Sequence, residues 1–378
     1  MIGNPPYAQI SKKIVPASQY PYSEGKDQGK QNLYKVFIEL AHNLMAQDAI
    51  GALIVQSSIL GDLSASFTRE LLLTQTQLHQ IIEFPKIPTK GKRRVFESIL
   101  QATAIILFQK EAVATTQRHC VKISIGNSLD DIHGFKFGEV EQCTMFSFSP
   151  QHEIPLLLPE ELRIYTKIKE QSLALKDMLI ASKQGNINTI HLKDIQAHSS
   201  TGAYIAKGAH IHRYYMNEDE LFHCQDISRT QKIFNANYDG YLILTQNITG
   251  TADAYRIHAH YLECKKTRIV FLHSVNISYS RSPREGKYLT GLLNSRLLNW
   301  VFKATSTNNH VNIYELENLP IPHATLAQIE DIATRTEEIM RLRSDRQDTT
   351  ILEDKLNQLV YQLYGISGED ICIIEQAQ

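Results

Sequence analysis

The stretch NLYKVFIELAHNLMAQDAIGALIVQ, residues 32–56, decides the fold class. Residues 32–47 set Leu33, Val36, Phe37, Leu40, Leu44 and Met45 at the spacing of one helical face. AIGALIVQ, residues 49–56, is then a short continuous apolar run, which predicts a buried strand. Outward from this unit the alternation continues, with an amphipathic helix over 64–73 and a strand, LHQIIEF, at 78–84. A loop carrying Lys86, Lys90, Lys92, Arg93 and Arg94 precedes a further strand, ATAIILFQK, at 102–110. Helix, strand, helix, strand, strand predicts the later half of an α/β sheet ending in a hairpin-like antiparallel edge.

Residues 113–180 hold short mixed segments with turn chemistry such as GNSLDDIHG and are expected to connect two domains, the first spanning 1–112. Residues 181–322 are rich in Tyr, His, Asn and Ser, and pieces such as YDGYLILTQ and IVFLHSVNISYS alternate as strands do. A mixed α+β second domain is expected there. The tail, 323–378, carries two amphipathic helices: Leu326, Ile329, Ile332, Ala333, Ile339 and Met340 mark the first, and Leu352, Leu356, Leu359, Val360 and Leu363 the second. Gly365 is the expected stop.

Among 378 residues, 39 Lys and Arg balance 40 Asp and Glu, so any nucleic-acid site must be local rather than a global basic surface. Cys120, Cys143, Cys224, Cys264 and Cys372 form no CxxC pair, which indicates neither a disulfide framework nor a metal site. No apolar run has the length of a membrane span, and the expectation is a soluble cytoplasmic protein without a membrane partner.

The opening MIGNPPYAQI holds the groups needed to use an aromatic exocyclic amine as a nucleophile. Such an amine is poor because its lone pair is delocalised into the ring. If the side-chain oxygen of Asn4 and the carbonyl of Pro5 each accept an N–H, the nitrogen pyramidalises and frees that pair. Pro5 and Pro6 fix φ and remove competing donors, and Tyr7 offers a face on which an extruded base stacks.

GNPPY followed by NLYKVFIELAHNLMAQDAIGALIV resembles the catalytic motif and following helix–strand unit of the TaqI-type, gamma-ordered adenine-N6 DNA methyltransferases, a group that includes single-chain restriction–modification enzymes. RRVFESILQATAIILFQK is similar to the next signature of that family. The resemblance implies a partial Rossmann-like methyltransferase sheet, with Asn4, Pro5, Pro6 and Tyr7 as the catalytic loop and Phe96 contacting the flipped adenine opposite Tyr7. YIAKGAHIHRYY, LTQNITG, LTGLLNSRLLNWVF and NIYELENLPIP resemble the attached target-recognition domain, followed by C-terminal helices. Double-stranded DNA is then the expected partner. Lys207, Arg213, Arg229, Lys265, Lys266, Arg281, Arg284 and Lys287 are candidates for phosphates, loop Asn, Gln and His side chains for base edges, and the loop 86–94 for the backbone beside the extruded base.

The family binds S-adenosylmethionine (SAM) through a glycine-rich turn and an acidic residue that precede NPPY, and this chain shows no copy of either. Only Asn4 is expected at the edge of a cofactor pocket. Two expectations follow: a methyltransferase part complemented by an upstream SAM-binding fragment, or a non-catalytic DNA specificity module. No D…ExK pattern indicates a nuclease. The chain also departs from its relatives at Gln56, where they usually place a proline nearby.

Overall fold

The computed structural model describes residues 1–10, 19–23, 31–85, 93, 95–96, 101–111, 118–155, 157–250, 253–264, 268–306 and 309–376. These fall into two compact units, residues 1–163 with 304–308, and 164–303 with 309–378.

The first unit is built on a six-stranded sheet. Its strands are β1 (Ile2–Gly3), β2 (Ile50–Gln56), β3 (Gln77–Phe84), β4 (Thr103–Gln109), β5 (Cys120–Ser124) and β6 (Gly138–Glu141), in the order β1-β2-β4-β3-β5-β6. β1 pairs parallel with β2 and β3 parallel with β5, whereas β4 runs antiparallel between β2 and β3. The ATAIILFQK strand, expected at an edge, is therefore central. The helix joining β2 to β3 carries the chain past one strand position, and β4 fills that gap from the opposite direction with Ala104, Ile106 and Phe108 buried. Gly51 makes the closest approach possible, because a Cβ there would stand 2.8 Å from the Phe108 ring. β5 and β6 come from residues read as a connecting stretch. Their short, turn-flanked sequences gave no periodic signal.

Two helices follow the expected order, α1 (Leu33–Leu44) and α2 (Ser66–Gln75). The buried face of α1 coincides only in part with the expected one. The core takes the expected Val36 and Met45 together with Tyr34, Ile38 and Ala41, while Phe37 is 39% and Leu44 68% exposed. Two buried polar residues share the core side, Lys35 donating to Ser64 O (2.8 Å) and Glu39 accepting from Ser23 Oγ (2.6 Å). Apolar residues occupy both sides of α1, so periodicity alone could not select the buried one. On α2, the fully buried Arg69 guanidinium donates to the carbonyls of Ile59, Asp62, Gln151 and His152, which fastens the loop before the helix to residues 151–152.

The second unit holds two four-stranded sheets. One contains β7 (Leu179–Gln184), β10 (Gly240–Gln246), β11 (Ala259–Cys264) and β13 (Val275–Ser280), ordered β7-β13-β10-β11 and antiparallel throughout. The other joins β8 (Tyr204–Ala206), β9 (Phe222–Cys224) and β12 (Ile269–Phe271) with the short strand Gln196–Ala197. IVFLHSVNISYS, which alternates like one strand, is thus β12 and β13 joined by a turn at 272–274 and belonging to different sheets. Ile205, Leu242, Leu244, Phe271 and Ile277 lie in the core that these strands enclose.

The longer helices of this unit include α3 (Pro283–Leu293), α4 (Arg296–Lys303), α5 (Leu326–Ser344), α6 (Thr350–Leu363) and α7 (Gly368–Gln376). α3 and α5 lie close enough that a Cβ on Gly291 would strike Thr336 Oγ1. Gly365, with φ 61°, ends α6 in the left-handed conformation that glycine adopts without strain.

Candidate active site

β1 delivers the chain straight into Asn4, so the sheet margin fixes where the proline loop starts. Ile2 stands opposite Ala52 and Gly3 opposite Leu53, and the Ala52 N–H donates to the Met1 carbonyl at 2.8 Å. Pro5 is buried, Asn4 and Pro6 are exposed, and Tyr7 is half-buried. With two consecutive φ angles locked, the loop needs few contacts to hold its shape. One contact is the Tyr7 hydroxyl, which donates to Ile54 O at 3.2 Å and ties the loop to β2.

Burial pushes the Tyr7 phenol up to about 12, so it is neutral at ordinary pH and serves as a ring and a donor rather than a base. Tyr34, fixed on the core side of α1, meets Tyr7 edge to face with centroids 6.4 Å apart. The Phe96 ring meets Tyr7 from another direction, 6.3 Å away and at 79°. The sequence-predicted pair Tyr7 and Phe96 is therefore together in space. Tyr34 was missed because it lies off the stripe first read as the core face of α1. Gln56 holds φ −63° and ψ 135°, dihedrals that a proline also adopts.

Arg93 is the described member of the basic loop; Lys86, Lys90, Lys92 and Arg94 lie outside the described residues. Arg93 Nε and main-chain N both donate to Asp130, each at 2.7 Å, though the side chain remains 71% exposed. At the end of β3, Glu83 is buried and accepts from Gly126 N at 2.9 Å. Burial pushes its carboxyl up to about 7, against the lowering effect of that N–H.

The second-unit candidates divide. Arg213 is not at a phosphate-facing surface: it pairs with Glu353 (2.8 Å), donates to Asn294 O (2.9 Å) and lies 3.6 Å over the Tyr255 ring, with 16% of its side chain exposed. Arg284 and Lys287 pair with Glu330 and Glu337, so two turns of α5 meet α3 through ion pairs. Such partners are distant in sequence and leave no local signal. Arg281 is exposed and donates to Asp177 O (2.8 Å), Arg229 is exposed, and Lys207 stands 5.0 Å over the Phe222 ring. Lys265 and Lys266 lie outside the described residues. Asn247 of LTQNITG is buried, donating to Asn276 Oδ1 (3.1 Å) and Val311 O (3.2 Å), so it fastens the domain and faces no groove.

Beside Asn4 runs a groove of about 360 Å³, lined by Ile2, Phe37, Leu40, Leu44 and Leu53 among others. Its polar side chain is the Asn4 amide. The side chains lining this groove include no carboxylate to meet the ammonium and ribose hydroxyls of a cofactor such as SAM. Among the described residues, no group of three or more His, Cys, Asp and Glu is arranged to hold a metal ion.

Residues 1–88 match the Eco57I restriction-modification methylase family. No curated protein matches the chain. Among solved structures, the Type IIL restriction-modification enzyme MmeI in complex with DNA is similar over 100% of this chain and 56% of its own, with 13% identity and TM-score 0.59. A nuclease-deletion mutant of the Type ISP restriction-modification enzyme LlaGI, in complex with a DNA substrate mimic, shows 11% identity and TM-score 0.52 over 90% of this chain and 35% of its own. The DrdV–DNA complex shows 10% identity and TM-score 0.51 over 90% of this chain and 44% of its own. At these identities the likeness is one of fold, and the chain spans about half or less of each of those proteins.

Proposed function

We propose that this chain carries the catalytic loop and the DNA target-recognition part of a TaqI-type adenine-N6 DNA methyltransferase in a restriction–modification system. The observation that carries this reading is the exposed Asn4 at the end of a sheet strand, one turn of chain from a Tyr7 ring faced by Phe96. The methylase family match over residues 1–88 and the likeness to restriction–modification enzymes support it.

In this reading Asn4 Oδ1 and the Pro5 carbonyl accept the two N–H bonds of the target amine and orient its lone pair. A flipped adenine stacks on Tyr7, which its bond to Ile54 and its contact with Tyr34 hold still, and Phe96 moves aside to take the other face. Residues 181–322 read the duplex, with Lys207, Arg229 and Arg281 as phosphate contacts and Arg93 beside the extruded base. SAM supplies the methyl group. The groove beside Asn4 and the exposed Phe37, Leu44 and Ile2 are the surface on which an upstream SAM-binding part docks, because a helix apolar on both sides belongs in an interior.

The test combines the chain with that upstream part, labelled SAM and duplex DNA. Methyl transfer to adenine N6 that disappears in Asn4→Ala is the expected outcome, whereas undiminished transfer in that variant refutes the assignment. Sequence-selective duplex binding with no transfer under any complementation identifies a specificity module instead.

A further inference from the structure

The segment after β5 makes an unusual set of bonds to the end of β3 and to Arg93. Glu83 accepts the Gly126 N–H on its side chain (2.9 Å) and, on its own carbonyl, both Asn127 N (3.1 Å) and Asn127 Nδ2 (3.0 Å). Ser124 Oγ donates to Asn127 Oδ1 at 3.1 Å. The turn is thereby bolted to the sheet at two neighbouring strand ends, with Ser124, Asn127 and Ser128 all buried.

From this fixed turn, two side chains reach Arg93. Asp130 takes its main-chain N–H on Oδ2 and its Nε–H on Oδ1, each at 2.7 Å, and Ser128 Oγ donates to its carbonyl at 3.2 Å. Ser128 Oγ also accepts from Asp130 N (3.3 Å), and Asp130 Oδ2, 3.3 Å away, is the alternative acceptor for its single proton. Arg93 is held at its nitrogen, its carbonyl and its guanidinium at once. An exposed arginine engaged only through its side chain would contribute little order. A residue gripped on both sides of its own peptide unit is a fixed point of the chain.

Phe96 lies three residues further on, edge to face with Tyr7. Three residues extend about 10 Å at most, so where Arg93 is fixed limits where the Phe96 ring can go. We infer that Asp130 is a positioning residue: with Ser128 it pins Arg93 to the sheet and so holds the Phe96 arm over Tyr7, across the space that the target base enters. This rests on the methyltransferase reading for its purpose, but the anchoring itself is a property of the fold.

The experiment places a tryptophan at the end of the arm, Phe96→Trp, in the full chain. The natural sequence has one tryptophan, Trp300, so subtracting the spectrum of the unsubstituted protein isolates the reporter. Adding Asp130→Ala is expected to shift the isolated emission to longer wavelength and lower its anisotropy. Asp130→Asn, which keeps an oxygen for the Arg93 main-chain N–H, is expected to restore most of both. Arg93→Ala leaves the main-chain bonds in place and is expected to give the smaller change of the two alanine variants.

In the complemented enzyme, Asp130→Ala is expected to lower kcat/KM for duplex DNA by roughly tenfold to a hundredfold, the scale on which a misplaced contact acts, with recovery in Asp130→Asn. Emission that stays put in a folded Asp130→Ala protein overturns the anchor, and so does equal disturbance by Asp130→Asn. Should Asp130→Ala not fold, Ser128→Ala, which removes the bond to the Arg93 carbonyl, decides the matter: a shift to longer wavelength in the folded variant supports the anchor and no shift overturns it. If the spectrum moves but the unsubstituted chain transfers no methyl group, the methyltransferase reading falls and the anchor stands. Transfer without any spectral change has the opposite meaning.

Discussion

One region from each unit shows residue type and placement parting company. In the first, the margin beside the proline loop leaves Ile2 91% and Leu44 68% exposed, so apolar side chains face outward where the site begins. In the second, Asn247, Arg256, Asn276 and Asn299 are buried, and residues of types that read DNA instead hold strands and helices together. The lesson is that residue type shows what a position is able to do, and only its partners show which side of the protein it serves. An outward apolar stripe offers a face that a partner can cover. An inward amide marks a fastening.

Removing a fastening has the largest expected effect. Burial alone would raise the Glu353 carboxyl, yet Arg213, Thr349 and Arg343 together hold it below the ordinary carboxylate range. Arg213→Ala leaves that charge with Arg343 and Thr349 alone, and since breaking a buried pair outright costs about 3–5 kcal/mol, the lower end of that range applies. A fall of that size in the denaturant-unfolding free energy of the second unit is expected at pH 7. In the unsubstituted protein this contribution is present above the ordinary carboxylate pKa and is lost as pH falls through the depressed folded value. The variant is therefore expected to be flatter in acid. A loss within experimental error would make Arg213 a surface residue after all.

The first unit contains the reverse electrostatic case. Glu83 titrates at about 7 when folded, against an ordinary 4.5, because burial disfavours its charge. The folded state binds the proton more tightly, so the stabilisation is complete below pH 4.5 and is lost as pH rises from 4.5 to about 7. Glu83→Gln keeps an oxygen for the Gly126 N–H and removes the charge. It is expected to raise stability at pH 8 by at most about 3 kcal/mol and to flatten the melting temperature between pH 5 and 7. An unchanged slope over that range would place Glu83 in contact with water.

Asn276→Ala tests a single fastening. Asn276 Nδ2 donates to Val311 O at 2.6 Å, and its Oδ1 accepts from the buried Asn247. Removing it strands a buried donor, so about 1–3 kcal/mol of stability is expected to go, read by thermal or denaturant unfolding. Undiminished stability would mean water replaces the amide.

Much of the first unit was legible because its signals are local. The proline loop, the run at 49–56 and the strand at 78–84 each carry their pattern within a few residues, and the structure places strands at Ile50–Gln56 and Gln77–Phe84. The Tyr7–Phe96 contact was legible only through resemblance, since no spacing rule joins residues that far apart. The position of β4 inside the sheet, the contribution of β5 and β6, and the sheet change between β12 and β13 depend on long-range pairing. The same holds for Arg213, whose composition suggested phosphate and whose partner is Glu353. Asp130 was invisible because an aspartate in a turn has many local uses, and only its reach to Arg93 distinguishes this one.

The smallest expected effect on stability belongs to the outward stripe, and it separates a covered face from an ordinary surface. Leu44→Lys changes a side chain that is 68% exposed and lies on the rim of the groove beside Asn4. Surface changes of this kind stay within about 0.5 kcal/mol, so the melting temperature of the chain is expected to hold. Association with the proposed upstream SAM-binding part is another matter, because a lysine buried there must lose its hydration without a carboxylate to meet it in the groove as described. Association measured by analytical ultracentrifugation or calorimetry is therefore expected to fall steeply, while a change on a comparably exposed apolar residue of the second unit, Ile190→Lys, leaves it unchanged. Equal binding by both variants would show that the stripe on α1 faces solvent in the working protein. Loss in Leu44→Lys alone would support docking of the proposed part on this stripe of α1.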